Sequence, residues 1–158
     1  MMELRFNPTQ ARFSARRTML AAAWIVSFAG CGNADPAIAT SAINGCTDAM
    51  FLDRTGGSSS RVVGFGGSNG SGVFTYSPRC MTIAAGQSVT FTGDFSAHPL
   101  SPGTGPMATD AGSTGNPIPR QDSNTVPTVM VGFLSAGDYP YFCVSHYAAG
   151  MVGVIRVR

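Results

Sequence analysis

Close to its C-terminus the chain runs Cys143-Val144-Ser145-His146-Tyr147-Ala148-Ala149-Gly150-Met151, a Cys-x2-His-x4-Met arrangement. The only other histidine, His98, lies well upstream. One thiolate, two imidazoles and one thioether form the donor set of a mononuclear copper site cycling between Cu(I) and Cu(II). Thiolate and imidazole tolerate both oxidation states, and a weak axial thioether favours the reduced one. Taken singly, a His is more often solvated or structural than a ligand, and a Met more often belongs to the core. The combination at fixed spacing is what carries the reading. A strand delivering Cys143 to one barrel end needs only a short turn to bring His146 and Met151 back to the same point. His98 must then arrive from a different strand.

The elements able to do this are short and β-rich. Gly (20) and Pro (10) are abundant, only 11% of residues are charged, all ten basic residues are Arg, and Glu3 is the only Glu. Helix surfaces draw on Glu, Lys, Gln and Arg, so this composition excludes a helix bundle or coiled coil. From Cys46 onward, runs at 47–54, 61–65, 72–77, 80–84, 87–94, 125–133, 139–144 and 152–157 are separated by turn residues. About eight short strands at this spacing predict an all-β, antiparallel sandwich or barrel. Val89 and Phe91 alternate with polar neighbours on the run before His98. Residues 101–124 are rich in Gly and Pro, and are either a functional loop beside the site or a tolerated surface excursion.

With these residues in place, the chain resembles a cupredoxin, the family of plastocyanin, azurin and amicyanin. The resemblance runs from about Cys80 to Val157. It rests on Gly86-Gln87-Ser88-Val89-Thr90-Phe91 before His98, on Phe133-x3-Gly137-x-Tyr139-x-Tyr141-x-Cys143, and on Met151-x-Gly153-x-Ile155. It implies an eight-stranded Greek-key sandwich carrying one copper at one end beneath an apolar patch, with His98, Cys143, His146 and Met151 as ligands. Family members usually carry Asn after the upstream His, and its backbone N–H donates to the copper thiolate. Here that position is Pro99, which has no N–H. The expectation is that Ser145 N–H supplies the bond instead. How the two ligand-bearing loops are held together is then an open question for the structure.

Two functions follow from such a site. One is a one-electron carrier between partner proteins docking near His146; the alternative is a copper module for storage, delivery or sensing. An enzyme is not expected. A Cys-His nucleophile would need an orienting Asn or Asp and leaves Met151 without a role. Copper enzymes of related design wire the site to a second metal through His residues flanking the Cys, and here the flanks are Phe142 and Val144. A binuclear centre would need a second Cys in the loop, and there is none.

The N-terminus has the layout of an export signal. Residues 1–17 are polar and arginine-bearing, residues 19–28 (MLAAAWIVSF) are apolar, and Ala29-Gly30 are small. The apolar run is too short for a good permanent span. Phe28-Ala29-Gly30-Cys31 resembles a bacterial lipobox with Phe where Leu is usual, and Arg16-Arg17 resembles a twin-arginine export pair. The reading is residues 1–30 as leader, 31–45 as tether and 46–158 as the cupredoxin domain. Cys31 is either lipidated, giving a membrane-anchored periplasmic protein, or incidental to ordinary secretion. Cysteines normally pair in an oxidising compartment, so Cys46 and Cys80 are expected as a disulfide, leaving Cys143 free for the metal.

Charge sharpens this. The formal net charge is +2, but residues 1–30 hold four Arg against Glu3, a balance of +3. Residues 31–158 hold six Arg against seven Asp, a balance of −1. A near-neutral, monomeric working domain is expected to dock through apolar surface with weak salt dependence. Nucleic-acid binding is excluded.

Overall fold

Val, Ile and aromatic residues recurring at every second position build the strands, because successive side chains of a strand point to opposite faces. Eight strands form: β1 (Leu52–Asp53), β2 (Val62–Gly64), β3 (Cys80–Ile83), β4 (Ser88–Thr92), β5 (Leu100–Pro102), β6 (Thr128–Gly132), β7 (Gly137–Cys143) and β8 (Val152–Val157). The structure, a computed structural model, describes residues 42–107, 112 and 114–158. The expected leader, the lipidation expected at Cys31 and most of the expected tether lie outside the described residues. Among the described residues no helix is long and apolar enough to cross a membrane.

One sheet has the order β1-β3-β8-β7-β5 and the other β2-β4-β6, giving the all-β Greek-key sandwich expected from the sequence. From β1 to β7 each strand lies in the opposite sheet from the one before it, and only β7 and β8 are consecutive sheet neighbours. Connections that cross between sheets can return a strand in the same direction as its neighbour. Accordingly β1–β3, β3–β8 and β2–β4 pair in parallel, while β4–β6, β5–β7 and β7–β8 are antiparallel. The sheets are therefore mixed, where the sequence suggested antiparallel pairing.

Two strand expectations are corrected. The run at 72–77 forms no strand beyond a single bridge of Ser77 to Gly64. Gly67, Asn69 and Gly70 just before it take left-handed conformations that turn the chain too sharply for a ladder. The 47–54 run yields a 3-10 turn (Asp48–Met50) and only the two residues of β1. Conversely, β5 follows His98 directly and extends into the Gly/Pro-rich interval.

The core lies between the sheets and includes the fully buried Phe65, Phe91, Phe95, Phe133 and Tyr141. Burial of each such side chain stabilises the fold by about 1.5–3 kcal/mol. β7 is buried on both faces from Pro140 to Cys143. Segments of the 101–124 interval contribute to this: Gly103 N–H and Asn116 Nδ2 both donate to Pro140 O at 2.8 Å, and Ile118 is buried in the core.

Cys46 and Cys80 form a disulfide, packed with Val154 in a second small cluster. Just before it, Asn44 Nδ2 donates to Tyr141 O (2.9 Å) and Gly153 O (3.0 Å). Arg79 donates back to Asn44 O at 2.8 Å, so this segment is fastened to the sheet.

Candidate metal centre

β7 ends at Cys143, and the turn that follows is closed by its own backbone. Cys143 N–H donates to Met151 O at 2.9 Å, and Met151 N–H donates to His146 O at 3.2 Å. A 3-10 turn over Tyr147–Ala149 and a left-handed Gly150 (φ 84°) supply the reversal. Met151 and Cys143 are both fully buried in the main core, so the loop returns its thioether residue beside its thiol.

His98 reaches the same place from the other sheet. The segment after β4 is held by Asp94, whose Oδ1 accepts from Ser96 N, Ser96 Oγ and Ala97 N, while its carbonyl accepts from His98 N–H at 2.9 Å. The chain then enters β5, where Leu100 pairs with Cys143. Val144 N–H donates to Pro99 O at 2.9 Å, so the residue lacking an N–H joins the two ligand-bearing loops through its carbonyl.

The result is a cluster in which one donor atom each of His98, Cys143 and His146 lies within 4.8 Å of the others. Cys143 Sγ is 3.4 Å from His146 Nδ1. His98 is buried, and its Nδ1 has no hydrogen-bond partner among the described residues. A buried polar atom with nothing to bind is costly, and a metal ligand atom is the kind of group for which that vacancy makes sense. Burial pushes His98 below the ordinary imidazole value; His146 pushes the same way and Asp94 opposes. The neutral, ligating form is thereby favoured. Burial likewise pushes the Cys143 thiol up, against the His146 and Ser145 backbone N–H groups, which lower it. A thiol reluctant to ionise alone, beside two imidazoles, fits a thiophilic cation that displaces its proton.

Aromatic side chains surround the imidazoles. The rings of His98 and His146 are 4.7 Å apart, and Phe65 meets His98 edge-on at 6.3 Å. Phe74 lies 4.5 Å from the His146 ring and 6.1 Å from that of His98, yet remains 48% exposed. Sequence reasoning missed Phe74, because nothing in an apolar pair within a Gly/Ser-rich stretch marks it as a neighbour of the site. Gly66 was missed as well. It has φ +61°, and a Cβ there would stand 3.0 Å from His98 Cδ2. Its left-handed backbone was readable only as a turn.

The structure thus brings together His98, Cys143 and His146, with Met151 adjoining through the backbone and Ser145 and Pro99 flanking them. Cys46 and Cys80 form a cluster of their own. Residues 63–158 match the family model for copper binding proteins of the plastocyanin/azurin family. The chain is 34% identical over 90 residues to chloroplastic plastocyanin of Tetradesmus obliquus, covering 56% of this chain and 61% of that protein. It is 30% identical to plastocyanin of Scenedesmus fuscus, covering 56% and 91%. The chain thus spans about three fifths of the length of the first of these relatives. Similar solved structures include oxidised plastocyanin from Dryopteris crassirhizoma, at 25% identity and TM-score 0.40 over 61% of this chain and 97% of that one. Pseudoazurin from Methylobacterium extorquens matches at 23% identity and TM-score 0.42, over 61% and 72%. The chain belongs to the plastocyanin/azurin family of copper binding proteins.

Proposed function

We propose that the protein is a one-electron carrier working outside the cytoplasm, with one copper held by His98, Cys143, His146 and Met151. The observation that carries this reading is the His98/Cys143/His146 cluster, with the buried, unpartnered His98 Nδ1 among its atoms. Bound copper supplies the Cu(I)/Cu(II) couple. The chain's own part is to hold the donors still. The backbone bonds closing 143–151, and the Val144–Pro99 link between the loops, restrict how far the ligands can move when the charge changes. A site that moves little reorganises little, which suits rapid electron traffic better than metal delivery.

The backbone N–H groups of His146 and Ser145 take the role of the donor that Pro99 lacks, directed at the Cys143 sulfur, where hydrogen bonds tune the potential. Val73, Phe74 and Tyr147 are exposed, and Phe74 abuts His146. This apolar surface receives redox partner proteins, and the near-neutral domain does so as a monomer with weak dependence on salt. The leader and the disulfide support export, with Cys31 as a lipid anchor on the periplasmic side. Palmitate labelling of the full chain and of Cys31→Ser tests the anchor; equal labelling of both rejects it.

Voltammetry of the copper-loaded protein tests the central function. A reversible one-electron wave accompanied by intense thiolate-to-copper colour is expected. A colourless protein, or one giving up copper to a weak chelator, contradicts the carrier reading and supports storage or delivery.

A further inference from the structure

The end of the 101–124 interval grips the His98 segment on both of its sides. Gln121 exchanges two backbone hydrogen bonds with Leu100, at 2.8 and 3.0 Å, two residues after His98. Three residues later, Asn124 Oδ1 accepts from Phe95 N–H at 2.7 Å, and Asn124 Nδ2 donates to Asp94 Oδ1 (2.7 Å) and Ser96 Oγ (2.9 Å), just before His98. Gln121 Nε2 donates to Ser123 O at 2.6 Å and stiffens the stretch between the two grips. Four consecutive residues therefore bracket the one histidine that comes from the other sheet.

We infer that residues 121–124 are a brace for the metal site and that Asn124 is a positioning residue for His98. The inference rests on His98 being a copper ligand. It gives a role to an interval that composition left undecided, and it adds a second hold on the loop that carries Pro99. The chemistry is specific. Asn124 must present an acceptor to the Phe95 amide and a donor to the Asp94 carboxylate at once, and of the side chains of this size only an amide does both. Asn124 is exposed, so its replacement removes the brace without opening the core.

The test uses Asn124→Ala and Asn124→Asp, which keeps the acceptor for Phe95 but loses the donor, in the full chain. Two readouts are taken: amide hydrogen exchange of residues 95–98 in the metal-free protein, and copper loss to a chelator from the loaded protein. Asn124→Ala should lose protection at 95–98 while β4 and β6 keep theirs, and should lose copper affinity about ten- to hundredfold. Asn124→Asp should be worse, because two carboxylates then face each other. Unchanged protection and unchanged copper loss in Asn124→Ala would overturn the inference, as would an Asn124→Asp variant matching the wild type in both readouts. Should Asn124→Ala not fold, Asn124→Asp against the wild type decides alone. Should the wild type take up no coloured copper, the ligand reading fails, while the exchange data on 95–98 still judge the brace.

Discussion

The Phe74 ring lies 4.5 Å from the His146 ring, inclined by 37°, with nearly half of its own surface facing solvent. On the carrier reading proposed above, an exposed aromatic against His146 places Phe74 in the contact through which electrons enter and leave. Electron self-exchange between oxidised and reduced copies, followed by NMR line broadening, is expected to vary little with ionic strength in the wild type. Phe74→Glu places a like charge on both copies and should slow self-exchange, with the loss partly recovered at high salt. A rate indifferent to that substitution means the contact lies elsewhere.

Gly66 is a position where an added side chain would crowd the His98 ring. Its φ of +61° alone makes a non-glycine residue cost about 1–2 kcal/mol. An added Cβ would also press on His98 Cδ2 at 3.0 Å and Nε2 at 3.2 Å. Gly66→Ala should lower stability by at least that backbone cost in a denaturant melt, and copper should leave it faster than it leaves the wild type. A melt matching the wild type would show that the ring gives way freely.

Tyr76 is buried against Phe65 and Tyr141, and its hydroxyl has no hydrogen-bond partner among the described residues. An unsatisfied buried hydroxyl costs about 1–3 kcal/mol. Tyr76→Phe keeps the ring and removes the orphan, so it should match or exceed the wild type in thermal unfolding. A loss of stability would reveal a partner for the hydroxyl.

The disulfide serves the fold more than the site. It closes a separation of 34 residues, and its cluster with Val154 is distinct from the core that holds Cys143 and Met151. The double variant Cys46→Ala/Cys80→Ala should lose about 2–4 kcal/mol of stability and keep the colour of the copper form. Loss of colour in a variant that is still folded would tie the bridge to the site.

What the sequence revealed about the site follows from what is local. Cys143, His146 and Met151 sit in one turn, so their spacing carries their geometry, and His98 was recognisable as the only other imidazole. Val89 and Phe91 advertised β4 through alternation. Contacts between distant segments left no such trace. Phe74 reaches His146, and Asn124 reaches Asp94, only because the chain crosses between sheets at these points. The parallel pairings depend on the same crossings. The three residues of β5 were hidden because Pro102 and the Gly/Pro-rich stretch after it read as loop. At 72–77 the alternating Phe74 and Tyr76 imitated a strand, while the left-handed residues at 67–70 had already turned the chain aside.

Charge followed the same logic. A net +2 divides into +3 over residues 1–30 and −1 over residues 31–158, so on the proposed reading an apolar contact at Phe74 is what the near-neutral part can offer a partner.

The most direct test of the central claim is copper titration of the wild type beside Cys143→Ser, followed by visible absorption and by circular dichroism. The wild type should take up one copper with intense thiolate-to-copper absorption. Cys143→Ser should keep the β fold and show none of that absorption. Equal absorption in both proteins, or none in the wild type, would contradict a copper site built on Cys143.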